Sequence, residues 1–179
     1  MQKVYMIKKI IVPISIIFFA VILRLLPHPP NVAPITAMAL FGGVYMNRKF
    51  ALIVPLIALF ISDLVLGFHD TMIYVYGSFF ISGLIGIFLN QRKTFHTVLI
   101  GTFIATILFF LITNFGVWAA GNMYPKTFSG LMQSYLMGVP FYRNTIIGDY
   151  LYVGIFFFGY ELFMNMLHSS RKIFDFIKN

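Results

Sequence analysis

Pro34-Ile35-Thr36-Ala37-Met38-Ala39-Leu40-Phe41-Gly42-Gly43-Val44-Tyr45-Met46, followed at once by Asn47-Arg48-Lys49, is the stretch on which the arrangement of this chain turns. Its 13 apolar or small residues would reach ~20 Å as a helix at about 1.5 Å per residue. A ~30 Å hydrocarbon core needs about 20 residues. Whether this run crosses a bilayer decides on which side Arg48 and Lys49 fall. It therefore decides whether the basic residues of the whole chain separate onto two sides.

Five longer apolar runs surround it, at 10–26, 50–66, 72–89, 97–118 and 146–167, with a long connection over 119–145. With six crossings, Lys3, Lys8, Lys9, Arg48, Lys49, Arg92, Lys93, Arg171, Lys172 and Lys178 share one side. Only Arg24, Lys126 and Arg143 remain on the other. Such an asymmetry over short loops is the positive-inside signal, and it places both termini in the cytoplasm. If 34–46 did not cross, Arg48 and Lys49 would join the minority side and the separation would blur. The run is therefore read as a crossing, in a thinned region or packed among neighbours.

Composition agrees with an all-α integral membrane protein of one domain, 1–179. The chain is 60% hydrophobic and 10% charged, with mean hydropathy +0.89, more apolar surface than one soluble core hides. The net charge of +8 does not point to nucleic acid, because the basic residues sit at the ends of apolar runs rather than along a soluble stripe. The absence of cysteine excludes disulfides, thiolate nucleophiles and Cys-ligated metals. Met1–Leu26 begins with lysines as a signal peptide does. Its apolar run is long for one and no small-x-small cleavage site follows, so it is read as an uncleaved first transmembrane helix.

The unusual polar residues fall on the side with few basic residues. Arg24 lies near the end of the first run, ahead of the stiff Pro27-His28-Pro29-Pro30-Asn31 segment. Asp63 ends the third run, with His69 and Asp70 in the turn beyond. Asn114 and Trp118 close the fifth. Tyr124, Lys126 and Arg143 occupy the long connection, where Phe128–Leu136 could form a short interfacial helix. Asp149 is placed in the first turn of the sixth helix, where the helix dipole would stabilise it.

Charges at membrane depth cost several kcal/mol unless paired or hydrated. Arg24, Asp63 and Asp149 are therefore expected to face the bundle interior, as structural pairs, as the lining of a solute pocket, or both. Glu161, about 18 Å further along the last helix than Asp149, is expected as a clamp at the other end, within reach of Arg48, Lys49 or Arg92. Ser78, Ser82 and Gly86 recur every fourth residue, a spacing that lets helices approach closely in lipid. Thr102, Thr106, Thr113 and Asn114 form a weakly polar face expected to point inward. No Gly-x-Ser-x-Gly elbow, Walker loop or His-x-x-x-His pair is present, and neither a cofactor nor a metal is expected.

The runs Arg24-Leu25-Leu26-Pro27-His28-Pro29-Pro30-Asn31-Val32-Ala33-Pro34-Ile35-Thr36-Ala37, Asn114-Phe115-Gly116-Val117-Trp118, Tyr124-Pro125 and Gly138-Val139-Pro140-Phe141-Tyr142-Arg143-Asn144-Thr145, with Gly148-Asp149, resemble a family of uncharacterised bacterial six-helix membrane proteins described as candidate transporters. That family in turn resembles the substrate-binding S components of energy-coupling factor (ECF) vitamin transporters. The resemblance covers Arg24 to Glu161. It implies a multi-pass protein of the bacterial inner membrane that binds a small vitamin-like solute near its external face. His28–Asn31 and the long connection would act as lids, and ATPase and scaffold subunits would supply the power. The first helix, Ile14-Ser15-Ile16-Ile17-Phe18-Phe19-Ala20, departs from the Ala-x-x-x-Ala docking face frequent in S components. The substrate-binding residues expected are Arg24, His28, Asn31, Asp63, Asn114, Trp118, Tyr124, Arg143 and Asp149. The residues themselves also leave open a membrane enzyme with an external His/Asp/Arg site, or a structural subunit of a membrane complex.

Overall fold

Pro34 ends an extended segment and starts a helix that is apolar all round. In the computed structural model, which describes residues 2–167 and side chains from residue 10 onward, that helix lies at the centre of the bundle. The elements are α1 (Gln2–Leu25), α2 (Ile35–Tyr45), α3 (Arg48–Ala51), α4 (Ile53–Leu66), α5 (Met72–Leu89), α6 (Phe95–Ala120) and α7 (Phe128–Val153). A 3-10 turn, Asn90–Arg92, follows α5. A π-helical turn, Gly154–Phe158, carries α7 onward, so that helical backbone is continuous over Phe128–Leu167. No strand occurs among the described residues. The side chains of Lys3, Lys8 and Lys9, and all of Arg171, Lys172 and Lys178, lie outside the described residues.

Among the described residues, four helical stretches are long and apolar enough to cross a membrane: Arg48–Leu66, Met72–Arg92, Phe95–Ala120 and Phe128–Leu167. Their outer surfaces carry large apolar side chains such as Ile73, Phe88, Leu64 and Phe158. An outer surface of this kind suits helices that face lipid. The interior combines large apolar side chains such as Phe41, Phe79, Leu40 and Phe156 with small and polar ones: Ala20, Ala37, Ala58, Ala105, Ser62, Ser82, Thr102 and Thr106 are all buried. Thr102 and Thr106 thus face inward as expected, each hydroxyl donating to the carbonyl four residues earlier at 2.8 Å.

The short central run does not behave as a full crossing on its own. α2 has 11 residues, ~16 Å of helix, and every residue from Thr36 to Val44 is buried. It packs against α1, α4, α5, α6 and α7. Its closest approach is to α5, where Gly43 meets Gly83 and Gly86 backbone to backbone. Of the Ser78/Ser82/Gly86 series, Gly86 joins Gly83 in the groove that takes α2, as small residues do at helix contacts in lipid. Because α2 is short, it fills the bundle near Asn90 and stops short of the Arg24 end.

The connection expected over 119–145 is corrected most. Only 121–127 is non-helical. Thr127 caps α7, its hydroxyl accepting from Gly130 N–H at 3.2 Å. α7 then runs straight through Gly138 and Pro140. A membrane helix tolerates such residues where neighbours re-satisfy the freed backbone groups. The sixth helix thus begins at Phe128 rather than Ile146, and Phe128–Leu136 is its first turns rather than a separate interfacial helix. Asp149 consequently lies deep inside a helix, so the dipole argument made for it from sequence does not hold.

At the end away from Arg24, Glu161 does form a clamp, though with a different lysine. Lys93 Nζ lies 2.5 Å from its Oε1 and the Tyr45 hydroxyl donates to the same oxygen at 2.8 Å. Lys93 also sits 4.3 Å above the Tyr45 ring. Both charged side chains are more than a third exposed, so the ion pair itself contributes ~0–1 kcal/mol. Asn90 donates to the Val44 carbonyl, tying the end of α5 to α2.

Candidate functional site

The space above the short α2 is a cavity of about 640 Å³ at the Arg24 end of the bundle. One face of α7 lines it with Ser134, Gly138, Phe141, Tyr142, Thr145 and Asp149, residues three to four apart that share a helical face. One face of α6 lines it with Phe109, Phe110, Thr113, Asn114 and Val117. The α1–α2 segment adds Arg24, His28, Asn31 and Ala33, and the first turn of α2 adds Ile35 and Thr36. Leu66, His69 and Val75 close the side near α4 and α5, and Met123 and Tyr124 stand at the α6–α7 turn.

Arg24 is buried, and its Nη1 is 2.7 Å from Asp63 Oδ1. The same nitrogen donates to Ser62 Oγ. The Tyr76 hydroxyl donates to Asp63 Oδ2 at 2.7 Å. Asp63 is thereby held behind Arg24, off the cavity wall. Arg24 takes part both in a structural pair and in the lining.

Asp149 is 1% exposed. The Thr106 hydroxyl donates to its Oδ2 at 2.6 Å, and the Thr36 side chain also hydrogen-bonds the carboxyl. The approach of α7 to the α1–α2 segment is possible because residue 148 is glycine, which lies against Val32. Asn144 Nδ2 donates to the Pro30 carbonyl at 3.0 Å, and Asn31 takes φ +61°, a left-handed conformation that asparagine adopts more readily than most residues. The proline segment is thus fixed at the rim, presenting the exposed side chains of His28 and Asn31.

Of the nine residues expected to bind substrate, Arg24, His28, Asn31, Asn114, Tyr124 and Asp149 line one cavity, and Asp63, Trp118 and Arg143 do not. Trp118 instead holds the α6–α7 turn. Its Nε1 donates to the Pro125 carbonyl at 2.9 Å, while Lys126 donates to the carbonyls of Ala119 and Gly121 at 3.0 and 2.5 Å. Arg143 is exposed on the side of α7 away from the lining. His69 is exposed in the turn after α4 and also reaches the cavity wall.

The pattern of a family of unknown function, DUF6580, matches residues 5–171. The chain belongs to DUF6580. No curated protein and no solved structure matches it.

The function of this DUF6580 chain must therefore be argued from its site. The walls are mainly apolar and aromatic, with a few converging polar groups, as in pockets for small organic molecules. Phe110 and Tyr142 sit 4.7 Å apart between ring centroids. Around the rim and walls, Ser134 donates to the Asn114 carbonyl at 2.8 Å, His28 Nδ1 lies 3.0 Å from the Pro29 carbonyl, and His69 Nδ1 lies 2.9 Å from Thr71 Oγ1. No cluster of metal-ligating side chains is present among the described residues.

Sequence reasoning missed Tyr142, Thr145, Thr36 and Tyr76. The signal for the first two was available. Ser134, Gly138, Tyr142, Thr145 and Asp149 follow a helical three-and-four spacing, which the reading of 119–145 as a connection hides. Thr127, a good N-cap residue ahead of Phe128, marks the true start.

Proposed function

We propose that this protein is the solute-binding component of an uptake system, holding a small organic molecule in the cavity at the Arg24 end. The observation that carries the reading is the 640 Å³ cavity, roomy enough for a vitamin-sized ligand and built from two rigid helix faces. The positive-inside pattern supports six crossings of the bacterial inner membrane with both termini cytoplasmic. In that topology α2 is supported by its neighbours and the cavity opens to the outside. His28, Asn31, Met123 and Tyr124 then sit at the external rim, where a lid would act. ATPase and scaffold subunits are the partners that the likeness to S components brings to this reading.

The test is mass spectrometry of protein purified gently in a mild detergent from cells grown on rich and minimal media. A single small organic species should be bound at near one per protein. Tyr142→Ala, which removes one aromatic wall, should reduce its occupancy about tenfold or more, the effect of losing ~1.4 kcal/mol of contact. A folded protein that is empty after every growth condition contradicts the proposal.

A further inference from the structure

We propose that the cavity takes an organic cation, a protonated amine or cationic nitrogen heterocycle on an apolar or aromatic body, with Asp149 as its counter-ion. This rests on the solute-binding reading above and names the class of solute.

Of the two buried carboxyls beside Arg24 and the cavity, one has a cationic partner among the described residues and the other has none. Arg24 is matched by Asp63 at 2.7 Å. Asp149, 1% exposed, is in no ion pair among the described residues, where the two pairs are Arg24–Asp63 and Lys93–Glu161. A buried carboxylate is normally paired with a cation. The hydroxyls of Thr106 and Thr36 give it two hydrogen bonds, but hydroxyls carry no net charge. The first turn of α2, which contains Thr36, contributes at most about half a positive charge. An ionised carboxyl accepts about four hydrogen bonds, more than these two hydroxyls supply, and Asp149 is part of the cavity lining. The walls beside it suit such a ligand as well. Phe110, Tyr142 and Phe141 all line the same space, and aromatic faces attract organic cations strongly once water is excluded.

The experiment has two arms, both on the full chain in detergent. The first identifies the co-purified molecule and its charge at neutral pH in the wild type and in Asp149→Asn. The second measures binding of three probes that share one ring system: tryptamine (cation), tryptophol (neutral) and indole-3-acetate (anion). A co-purified cation lost from Asp149→Asn supports the proposal. So does preference for tryptamine that falls about ten- to a hundredfold in the variant, the range set by a charge-assisted hydrogen bond.

A neutral or anionic co-purified molecule overturns the cationic assignment and leaves the solute-binding reading standing. A cation retained in the variant, or equal binding of the three probes, does the same. An empty wild type that binds none of the probes overturns both. The wild type's discrimination among the probes decides the question even where Asp149→Asn fails to fold.

Discussion

Arg24→Met is expected to lower the stability of the folded protein by ~3–5 kcal/mol, the cost of removing one partner of a buried ion pair. Asp63, 1% exposed, would keep only the Tyr76 hydroxyl at 2.7 Å and would carry an uncompensated charge at membrane depth. The double change Arg24→Met with Asp63→Leu should recover most of that loss, because an apolar pair of similar volume replaces a buried ion pair at little or no cost. Thermal and denaturant unfolding in detergent, arranged as a double-mutant cycle, reads the coupling. If the double variant is as unstable as the sum of the singles, the two side chains do not act on one another.

Gly43→Val should be as damaging for a different reason. A Cβ at Gly43 would stand 2.7 Å from both Gly86 Cα and Ile87 N, and backbone on both sides leaves nothing flexible to yield. The cost should lie at or above the top of the ~1–3 kcal/mol range for overpacking, seen as a lowered melting temperature or loss of folded protein from the membrane. Gly77→Ala is the control. It lies on the same helix, α5, and a Cβ there meets nothing within 4 Å, so the better helix former should be neutral or slightly stabilising. Equal effects at the two positions would mean that α2 and α5 do not cross through glycine.

Much of this was legible because lipid imposes strong patterns. The helical class follows from the apolar runs, and a close helix contact along α5 from the Ser78/Ser82/Gly86 spacing, though not that its partner is α2. The inward face of α6 follows from Thr102 and Thr106. What stayed hidden depended on rotation about helix axes and on contacts far apart in sequence. Asp63 and Asp149 were equivalent partners for Arg24 until the turn of α4 brought Asp63 to it. Lys93, rather than Arg48, Lys49 or Arg92, reaches Glu161 because α5 ends beside Tyr45. The extent of α7 stays hidden when 119–145 is taken as one long connection; its Gly138 and Pro140 weaken a helix packed between α6 and the α1–α2 segment far less than a soluble one. Reading that stretch as a loop also separated Tyr142 and Thr145 from Asp149, although the three share one face.

The chain has no cysteine, so a single introduced thiol reports its own position without background. Thr113→Cys, on the cavity wall, should react with a membrane-impermeant maleimide added outside intact spheroplasts, while Gln91→Cys, exposed beside Lys93 at the opposite end, should react only after the membrane is opened. That result would place the cavity on the external face and accessible to solute. Labelling of Gln91→Cys from outside with Thr113→Cys protected until lysis would contradict it.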